Sequence, residues 1–380
     1  MATGCSIWSY SDISDRGFGL FKRRVFTALE EFGWSTRLSL VELLSPGAQD
    51  KLRDDLLADS SDFLLLINQT SNHFYRQYLK LDPREDRHHH TKIVWFLDDP
   101  RFYVNQEFEP DEVVCVFDDT YLDAVKRFKP LRLLHFPLAA DLSELGKPDE
   151  KYTCEVAFVG GLQDQAYRRE QLPEEMRRYT ERLVESKLIE PTKSFDDLTE
   201  EIPYAPGKRI QLDPAVRNFL YWEANNRRRL RLLEQLIQFD LRIYGNEDWL
   251  SLTEHSPLRE RFHGRIDPVK ELPSLFASAR ININIHSVQC HGSLNQRDFN
   301  GPVAGGFLLS DWVPGAGRYF QPEKEAVYYS GIEDLRAKVR YYLDRPAKRE
   351  EITRAGRERV LRDHTYRQRA HQLLETLGLM

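Results

Sequence analysis

Short apolar runs alternate with segments of helical periodicity along most of the chain, and this alternation is the strongest constraint on its fold. Residues 64–67 (LLLI) are apolar at every position, as in a central strand of a parallel sheet. Residues 281–285 (ININI) alternate apolar and amide side chains, which is typical of a strand. Strands that alternate with helices form parallel βαβ units. The sequence therefore predicts an α/β protein with open, twisted sheets.

The predicted strands fall into two series separated by a polar segment. The first series covers 5–10, 36–40, 63–67, 93–97, 113–117 and 131–136, and the second covers 156–159, 241–244, 281–285, 307–310 and 326–329. Pro137 and the polar residues 141–150 form the predicted linker. We therefore predict two doubly wound domains, over 1–145 and from 150 onward, that face each other across a cleft. A charged, largely helical insertion occupies about 162–225 of the second domain.

Composition narrows the class of protein. The chain is 41% hydrophobic and 30% charged, as globular proteins are. Its net charge of −6 provides no general attraction to nucleic acid or to an anionic membrane. No apolar run approaches the roughly 18 residues of a membrane-spanning helix. The N-terminal sequence MATGCSIWSYSD lacks the basic start and apolar core of a signal peptide, so a cytoplasmic protein is predicted.

The stretch 279–311 has the pattern of an anion-binding crevice. A strand leads into a polar loop, a short helix that begins near Asn295, the pair Gly305-Gly306, and a second strand. In doubly wound sheets, ligands bind at the carboxyl edge of the strands. Helix N-termini favour anions through free N–H groups and the helix dipole, and the guanidinium group of Arg297 suits phosphate. The pattern predicts a phosphorylated ligand here.

Possible metal ligands are present, but their spacing is poor. Asp98 and Asp99 follow a predicted strand, where adjacent side chains point to opposite faces of the sheet. One of Asp98 or Asp99 is therefore interpreted as a partner for an acceptor hydroxyl group, with helix N-capping as the alternative. His286, Cys290 and His291 lack a nearby fourth ligand. We expect no bound metal and no cofactor.

Four arginines, at 227, 228, 229 and 231, lie in a predicted helix over 226–239. Such a run can bind nucleic acid. No aromatic residues are interleaved with these arginines, so a solvated helix flank is favoured.

Several motifs resemble those of the CgeB-type, spore-maturation-protein-like glycosyltransferases. They are CEVAFVGG (154–161), IYGNEDW (243–249), RYYLDRP (340–346) and AGRERVLRDHTYRQR (355–369), in that order. The segments WFLDDPRFY and HFPLAADL of the first half fit the same family's acceptor domain. The resemblance covers residues 150 to 370 best.

The resemblance implies two Rossmann-like domains in the GT-B arrangement, a nucleotide-sugar donor bound by the domain at 150–364, and no metal. It also implies that a C-terminal helix, 365–380, crosses back to the N-terminal domain. Arg297 would face the donor diphosphate, and the pairs Tyr244-Gly245 and His263-Gly264 would border the nucleotide. With the glycine turns and Arg168 and Arg169 beyond the first turn, the predicted donor-binding residues are Gly160, Gly161, Arg168, Arg169, Tyr244, Gly245, His263, Gly264, Asn295, Arg297, Asn300, Gly305 and Gly306.

The leading prediction is a metal-independent glycosyltransferase that moves a sugar from a nucleoside diphosphate to an unidentified acceptor. Arg297 would stabilise the leaving group, and an inverting reaction would also need a base, for which Asp12, Asp15 and Asp98 are the candidates in that order. Asn300 stands where related enzymes place a ribose-binding Glu, so a non-catalytic nucleotide- or sugar-binding protein is an alternative. A phage-type transferase that glycosylates modified DNA bases is a further alternative, which the net charge does not support.

Overall fold

The chain divides into two compact units in the computed structural model, which describes residues 4–12, 18–42, 45–86, 90–102, 112–141 and 145–380. Unit 1 comprises Met1–Asp141 together with His364–Met380, and unit 2 comprises Leu142–Asp363. The sequence-based boundaries were placed at 145–150 and at 364–365, close to these divisions.

The described residues form eleven β-strands in two separate sheets. The strands are β1 (Ser6–Asp12), β2 (Ser35–Val41), β3 (Phe63–Ile67), β4 (Thr91–Phe96), β5 (Glu112–Val116), β6 (Arg132–His135), β7 (Val156–Val159), β8 (Leu241–Tyr244), β9 (Ile281–Asn284), β10 (Leu308–Asp311) and β11 (Val327–Tyr329). Each predicted strand therefore has a counterpart in the structure.

Helices connect these strands. The α-helices are α1 (Phe18–Glu30), α2 (Ala48–Ala58), α3 (Leu122–Lys126), α4 (Ala166–Gln171), α5 (Glu174–Ile189), α6 (Phe195–Glu201), α7 (Pro214–Glu234), α8 (Asp248–Leu252), α9 (Leu272–Ser278), α10 (Gln296–Val303), α11 (Ala316–Tyr319), α12 (Ile332–Leu343), α13 (Pro346–Asp363) and α14 (Tyr366–Leu377). A π-helical segment spans His73–Tyr78, and 3-10 turns span Pro83–Glu85, Pro100–Phe102, Asp119–Tyr121, Glu150–Tyr152 and Pro257–Arg261.

The sheet of unit 1 has the strand order β2-β1-β3-β4-β5-β6, and every pairing is parallel. Strands β3 and β5 are buried at every residue, as expected for strands covered on both faces. The sequence order reverses between β1 and β3. Ligands of doubly wound sheets bind at such a reversal, beyond the carboxyl ends of the strands.

The sheet of unit 2 has the order β11-β10-β9-β7-β8 and is also wholly parallel. Its core contains Phe158, Ile243, Ile283 and Leu309 from four neighbouring strands, with Trp249 from α8. Parallel pairing places the carboxyl ends of these strands along one edge. The residues that follow β7, β9 and β10 are therefore neighbours, although they are far apart in the sequence.

Helix α14 belongs to unit 1. The backbone N–H of Ala140 donates to the carbonyl oxygen of His364 (2.8 Å), and the N–H of Tyr366 donates to the carbonyl oxygen of Ala140 (3.1 Å). A capping box between Thr365 and Gln368 starts the helix. The end of the chain is thus joined to the end of the N-terminal sheet.

The longest helix differs from its prediction. Helix α7 begins at Pro214, twelve residues before the predicted start at 226, so it includes the end of the charged insertion. The Asp213 side chain accepts hydrogen bonds from the N–H groups of Ala215 (2.8 Å) and Val216 (3.0 Å). An Asp cap followed by proline is a strong helix start, so the prediction missed a local signal. In the described part of the chain, no helix is long and apolar enough to cross a membrane.

Candidate functional site

Two glycine turns bring the ends of β7 and β8 together. The N–H of Gly160 donates to the carbonyl oxygen of Tyr244 (2.9 Å), and the Trp249 indole donates to the carbonyl oxygen of Gly160 (2.8 Å). A side chain at Gly245 would place its Cβ 2.4 Å from the carbonyl oxygen of Gly160. The side-chain oxygen of Asn246 accepts a hydrogen bond from the backbone N–H of Leu162 (2.9 Å), which links the two turns. The close approach at this edge requires Gly160 and Gly245.

Arg297 lies at the start of α10 and points to the end of β9. Its Nε donates to the side-chain oxygen of Asn284 (2.8 Å), and its Nη2 donates to the carbonyl oxygen of Ile285 (3.3 Å). Asn295 caps the helix, because its side-chain oxygen accepts the N–H of Arg297 (2.9 Å) within a capping box that includes Asp298. The expectation of free N–H groups at this helix end is therefore wrong. Positive charge here comes mainly from the Arg297 side chain.

Two consecutive arginines of α7 reach the same edge. Arg228 pairs with Asp311 at the end of β10, with Nη2 and Oδ2 2.5 Å apart. Arg229 is only 7% exposed and donates through Nη1 to the carbonyl oxygen of Gly161, while its buried Nε has no hydrogen-bond partner in the described part of the chain. The predicted solvated flank is therefore wrong for Arg229. It holds for Arg231, which pairs with the half-exposed Glu185 (2.9 Å).

His286 lies between two buried carboxylates. Its Nδ1 is 2.6 Å from Oδ1 of Asp311, and its Nε2 is 2.8 Å from Oδ2 of Asp298. Burial alone would lower the pKa of His286, but the attraction of the two carboxylates is larger and raises it to about 10. His286 is therefore a charged imidazolium at neutral pH, and both ring nitrogens donate hydrogen bonds.

We call these six residues the strand-end cluster: Arg228, Arg229, His286, Arg297, Asp298 and Asp311. Four cations face two carboxylates, which leaves two positive charges in excess. Among the described residues, neither Arg229 nor Arg297 forms an ion pair with a carboxylate. Burial, followed by repulsion from Arg297 and Arg228, lowers the pKa of Arg229, and burial likewise lowers that of Arg297. Such an excess of buried charge favours a bound anion.

The remaining residues of the predicted donor site lie around this edge. Tyr244 is buried, with its ring centroid 5.7 Å from that of His263, and the N–H of Gly245 donates to the carbonyl oxygen of Gly264 (2.9 Å). Burial, followed by repulsion from Arg242, lowers the pKa of His263. The imidazole of His263 therefore favours the neutral form beside the tyrosine.

Three more of the predicted residues lie in α10 or directly after it. The amide oxygen of Asn300 accepts a hydrogen bond from Gln296 (2.5 Å). Gly305 has a left-handed φ of 89°, and a Cβ at Gly306 would lie 2.5 Å from the carbonyl oxygen of Phe276. This glycine pair allows α10 and β10 to pack tightly against α9.

Arg168 and Arg169 are turned away from the strand ends. Arg168 donates to the side chain of Asn218, and Arg169 pairs with Glu223 of α7 (2.5 Å). The structure does not bring these two predicted residues to the strand-end cluster.

The candidate bases belong to unit 1. Asp12 ends β1, and Asp98 follows β4, so both lie at carboxyl strand ends on either side of β3. Asn68 at the end of β3 holds Asp98, because its Nδ2 donates to Oδ2 of Asp98 (2.7 Å) and its side-chain oxygen accepts the N–H of Leu97 (2.8 Å). Asp15 lies outside the described residues.

The possible metal ligands of unit 2 include His286 and Cys290. Within the described ranges, no group of three or more His, Cys, Asp or Glu side chains is arranged to hold a metal ion. His286 is engaged with Asp298 and Asp311, and Cys290 is a buried cysteine.

Comparison with known proteins places this edge in context. Residues 227–375 match the family model described as "Glycosyl transferase-like". The matched region contains all six residues of the strand-end cluster. A search of curated proteins found no similar sequence.

Solved structures share the whole fold at low sequence identity. Sucrose-phosphate synthase from Thermosynechococcus elongatus is 12% identical with a TM-score of 0.59, and 98% of each chain is covered. HepE from Anabaena, in complex with UDP-glucose, is 9% identical with a TM-score of 0.56, covering 99% of this chain and 100% of that one. The DNA-modifying enzyme β-glucosyltransferase is 12% identical with a TM-score of 0.54, covering 98% of this chain and 100% of that one. The predicted fold class, two Rossmann-like α/β domains of the GT-B type, is confirmed.

Five residues of the cluster are not among the site residues predicted from the sequence. The sequence assigned no role to Asp298 and Asp311, it placed Arg228 and Arg229 on a solvated helix flank, and it offered His286 only as a metal ligand. One signal was available for Asp311, which directly follows the predicted strand 307–310 and is the last residue of β10. None was available for Arg229, because its burial depends on how α7 packs against the strand ends.

Proposed function

We propose that the protein is a glycosyltransferase that uses a nucleoside-diphosphate sugar as its donor. The observation that carries this proposal is the excess of two positive charges in the strand-end cluster, at the carboxyl ends of β7, β9 and β10. The diphosphate of a nucleotide sugar carries two negative charges, which would neutralise this excess. The glycosyl transferase-like match over 227–375 supports the same assignment.

Arg229 and Arg297 are the proposed diphosphate ligands. Their guanidinium groups donate to backbone or amide oxygens and form no ion pair in the described part of the chain. Negative charge grows on the nucleoside diphosphate as the glycosidic bond breaks. Cations already fixed in place stabilise that charge without reorganisation, which typically contributes about 3–4 kcal/mol for each donor.

Arg228, His286, Asp298 and Asp311 have a supporting role in this proposal. They form a chain of ion pairs from α7 through β10 to α10, and Ser310 donates to Oδ1 of Asp298 (2.7 Å). Each carboxylate in the chain is already shared between donors. These residues would therefore hold Arg297 and the end of β9 in position while leaving the diphosphate charge unopposed.

The finer parts of the proposal concern donor, acceptor and cofactor. HepE was solved with UDP-glucose and the DNA-modifying β-glucosyltransferase with uridine diphosphoglucose, which supports a uridine nucleotide as donor. The acceptor would use a hydroxyl group, deprotonated by Asp12, Asp15 or Asp98 if the reaction inverts configuration. Metal independence, a CgeB-type family assignment and a cytoplasmic location are also part of the proposal.

The decisive test is sugar turnover with purified protein. A panel of UDP-, GDP-, TDP- and CDP-sugars is incubated with the wild type and with Arg229→Met and Arg297→Met, with and without a chelator. We expect slow donor hydrolysis by the wild type that survives chelation, and a loss of roughly 100-fold or more in kcat/KM in either variant. Arg231→Met is the matched control, because it removes an arginine from the exposed side of the same helix.

The same experiment separates the enzyme from a non-catalytic binding protein. Asn300 motivates that alternative, because its amide oxygen already accepts a bond from Gln296. A binding protein would be stabilised by nucleotide sugars but would never hydrolyse them. Normal turnover by both arginine variants, with circular dichroism spectra unchanged, would show that the diphosphate site lies elsewhere.

A further inference from the structure

A basic cavity, separate from the strand-end cluster, lies within the charged insertion of unit 2. It has a volume of about 470 Å³ and is bordered by Arg169, Arg177, Arg178 and Arg182, with Val184 and Phe219 as apolar walls. A cavity of this size accommodates a small organic ligand. None of these residues belongs to the strand-end cluster.

The two acidic residues at this cavity, Glu181 and Glu223, already form ion pairs with arginines. Arg227 on α7 binds Glu181 (2.5 Å), and its Nε donates to Glu223 (2.9 Å). The hydrogen bond from Arg227 lowers the pKa of Glu181. Arg169 also pairs with Glu223 (2.5 Å). Because Arg227 and Arg169 already pair with these carboxylates, the carboxylates do not offset the arginines at the front of the cavity.

The front arginines are poorly paired. Arg177 and Arg178 share one carboxylate, Glu174, at 3.2 and 3.8 Å, and the Glu174 side chain is 63% exposed. Arg182 donates to the carbonyl oxygen of Pro203 (2.5 Å) and lies over the ring of Tyr179, but among the described residues it forms no ion pair. Three arginines on consecutive turns of α5 thus present an excess of positive charge to the cavity.

We propose that this cavity binds a small anionic molecule that carries a phosphate or carboxylate group on an apolar or ring-shaped body. Arginine forks match both groups in a bidentate geometry. Val184 and Phe219 provide an apolar surface for the body of the ligand. The proposal does not depend on the glycosyltransferase assignment, because the two sites share no residue.

The test uses 1-naphthyl phosphate and 1-naphthoate as fluorescent probes, with inorganic phosphate as a probe that has no apolar body. Binding is measured at low ionic strength, since exposed charges are screened by salt. The double variant Arg177→Gln/Arg178→Gln should bind at least one naphthyl probe ten or more times more weakly than the wild type. Glu174→Gln should bind that probe more tightly, because the competing carboxylate is gone. The relative affinities of the two naphthyl probes show whether phosphate or carboxylate is preferred.

Matched variants exclude a general charge effect. Arg354→Gln/Arg357→Gln removes the same charge from exposed positions of α13 and should bind the probes like the wild type. Arg229→Met removes one cation of the strand-end cluster and should leave the binding of the naphthyl probes to the cavity of the insertion unchanged. If Arg177→Gln/Arg178→Gln binds as tightly as the wild type, or if Arg229→Met alone abolishes all probe binding, the proposal is wrong. Tighter binding of inorganic phosphate than of naphthyl phosphate would contradict the proposal that the cavity binds an apolar or ring-shaped ligand body.

Discussion

Asp311 accepts two hydrogen bonds from His286, one from the imidazole Nδ1 at 2.6 Å and one from the backbone N–H at 2.8 Å. This double contact ties the segment after β9 to the last residue of β10. Asp311 also pairs with Arg228. Burial alone would raise the pKa of Asp311, but the charges of Arg228 and His286 outweigh burial, so this pKa lies well below its usual range. One carboxylate therefore fixes the relative positions of α7, β9 and β10.

Replacing His286 with Gln should destabilise unit 2 strongly. The change leaves Asp298 and Asp311 buried with one cation fewer, and breaking a buried ion pair by removing one partner typically costs about 3–5 kcal/mol. The measurement is the urea midpoint of unfolding. His255→Gln, at an exposed position, is the control and should unfold like the wild type. A His286→Gln protein with an unchanged midpoint would mean that the imidazolium does not stabilise the fold.

The same histidine should make stability fall at alkaline pH. Its pKa is raised to about 10 in the folded protein, against roughly 6.5 in an unfolded chain. The stabilisation is therefore complete below pH of roughly 6.5 and disappears as the pH rises through about 10. We expect the difference in stability between wild type and His286→Gln to shrink over this window. Other groups also titrate over this pH range. Burial lowers the pKa of His90, but Asp86 and Asp59 outweigh it and raise that pKa. Their effect on stability is the same in both proteins and cancels in the difference.

Arg229→Met should leave the ligand-free protein as stable as the wild type or more stable. Arg229 is a buried cation that has no carboxylate partner among the residues the structure describes, and replacing buried charge by an apolar side chain is often neutral or stabilising by about 1–4 kcal/mol. Diphosphate should then raise Tm in the wild type, by an amount equivalent to about 2.7 kcal/mol at 100 times Kd, and much less in the variant. A variant that is destabilised without ligand and still stabilised by diphosphate would assign Arg229 a structural role only.

The strands were predictable, because their signal is local. Runs such as 64–67 are apolar on both faces, and all eleven strands have predicted counterparts. The start of α7 was missed although Asp213 and Pro214 mark it and Val216, Phe219 and Leu220 follow at helical spacing. The prediction relied only on the apolar residues further along, such as Leu230 and Leu233.

The functional site was less predictable, because charge alone does not reveal burial. Arg297 was identified from its position after β9, at the start of a short helix. Arg229 lies in a run of four arginines whose sequence context is uniform, yet it is buried while Arg231 is half-exposed. The difference arises from the contact of one face of α7 with Gly161, which is a tertiary contact between residues 68 positions apart.

Gly306→Ala should destabilise unit 2 through a steric clash. The new Cβ would lie 2.5 Å from the carbonyl oxygen of Phe276 and 2.9 Å from the side-chain nitrogen of Asn282. Overpacking of this kind typically costs about 1–3 kcal/mol. Gly317→Ala in α11 is the matched control, because no atom lies within 4 Å of its new Cβ, and it should be neutral or slightly stabilising. Equal unfolding midpoints for the two variants would show that α10 can shift to relieve the contact.

The candidate bases of unit 1 can be distinguished by kinetics once the donor is known. Asp98 is held by Asn68 at 2.7 Å, which suits a residue that orients an acceptor hydroxyl group, whereas Asp12 ends β1 beside the reversal in strand order. If the reaction inverts configuration, Asp12→Asn should lower kcat by roughly 100-fold or more, as expected for loss of a general base. Asp98→Asn should mainly raise the acceptor KM, and Asp123→Asn, at an exposed position of α3, should change neither. A wild-type kcat for Asp12→Asn together with a large loss for Asp98→Asn would exchange their roles. Small effects on kcat in both variants would indicate either a retaining reaction, which needs no protein base, or Asp15 as the base.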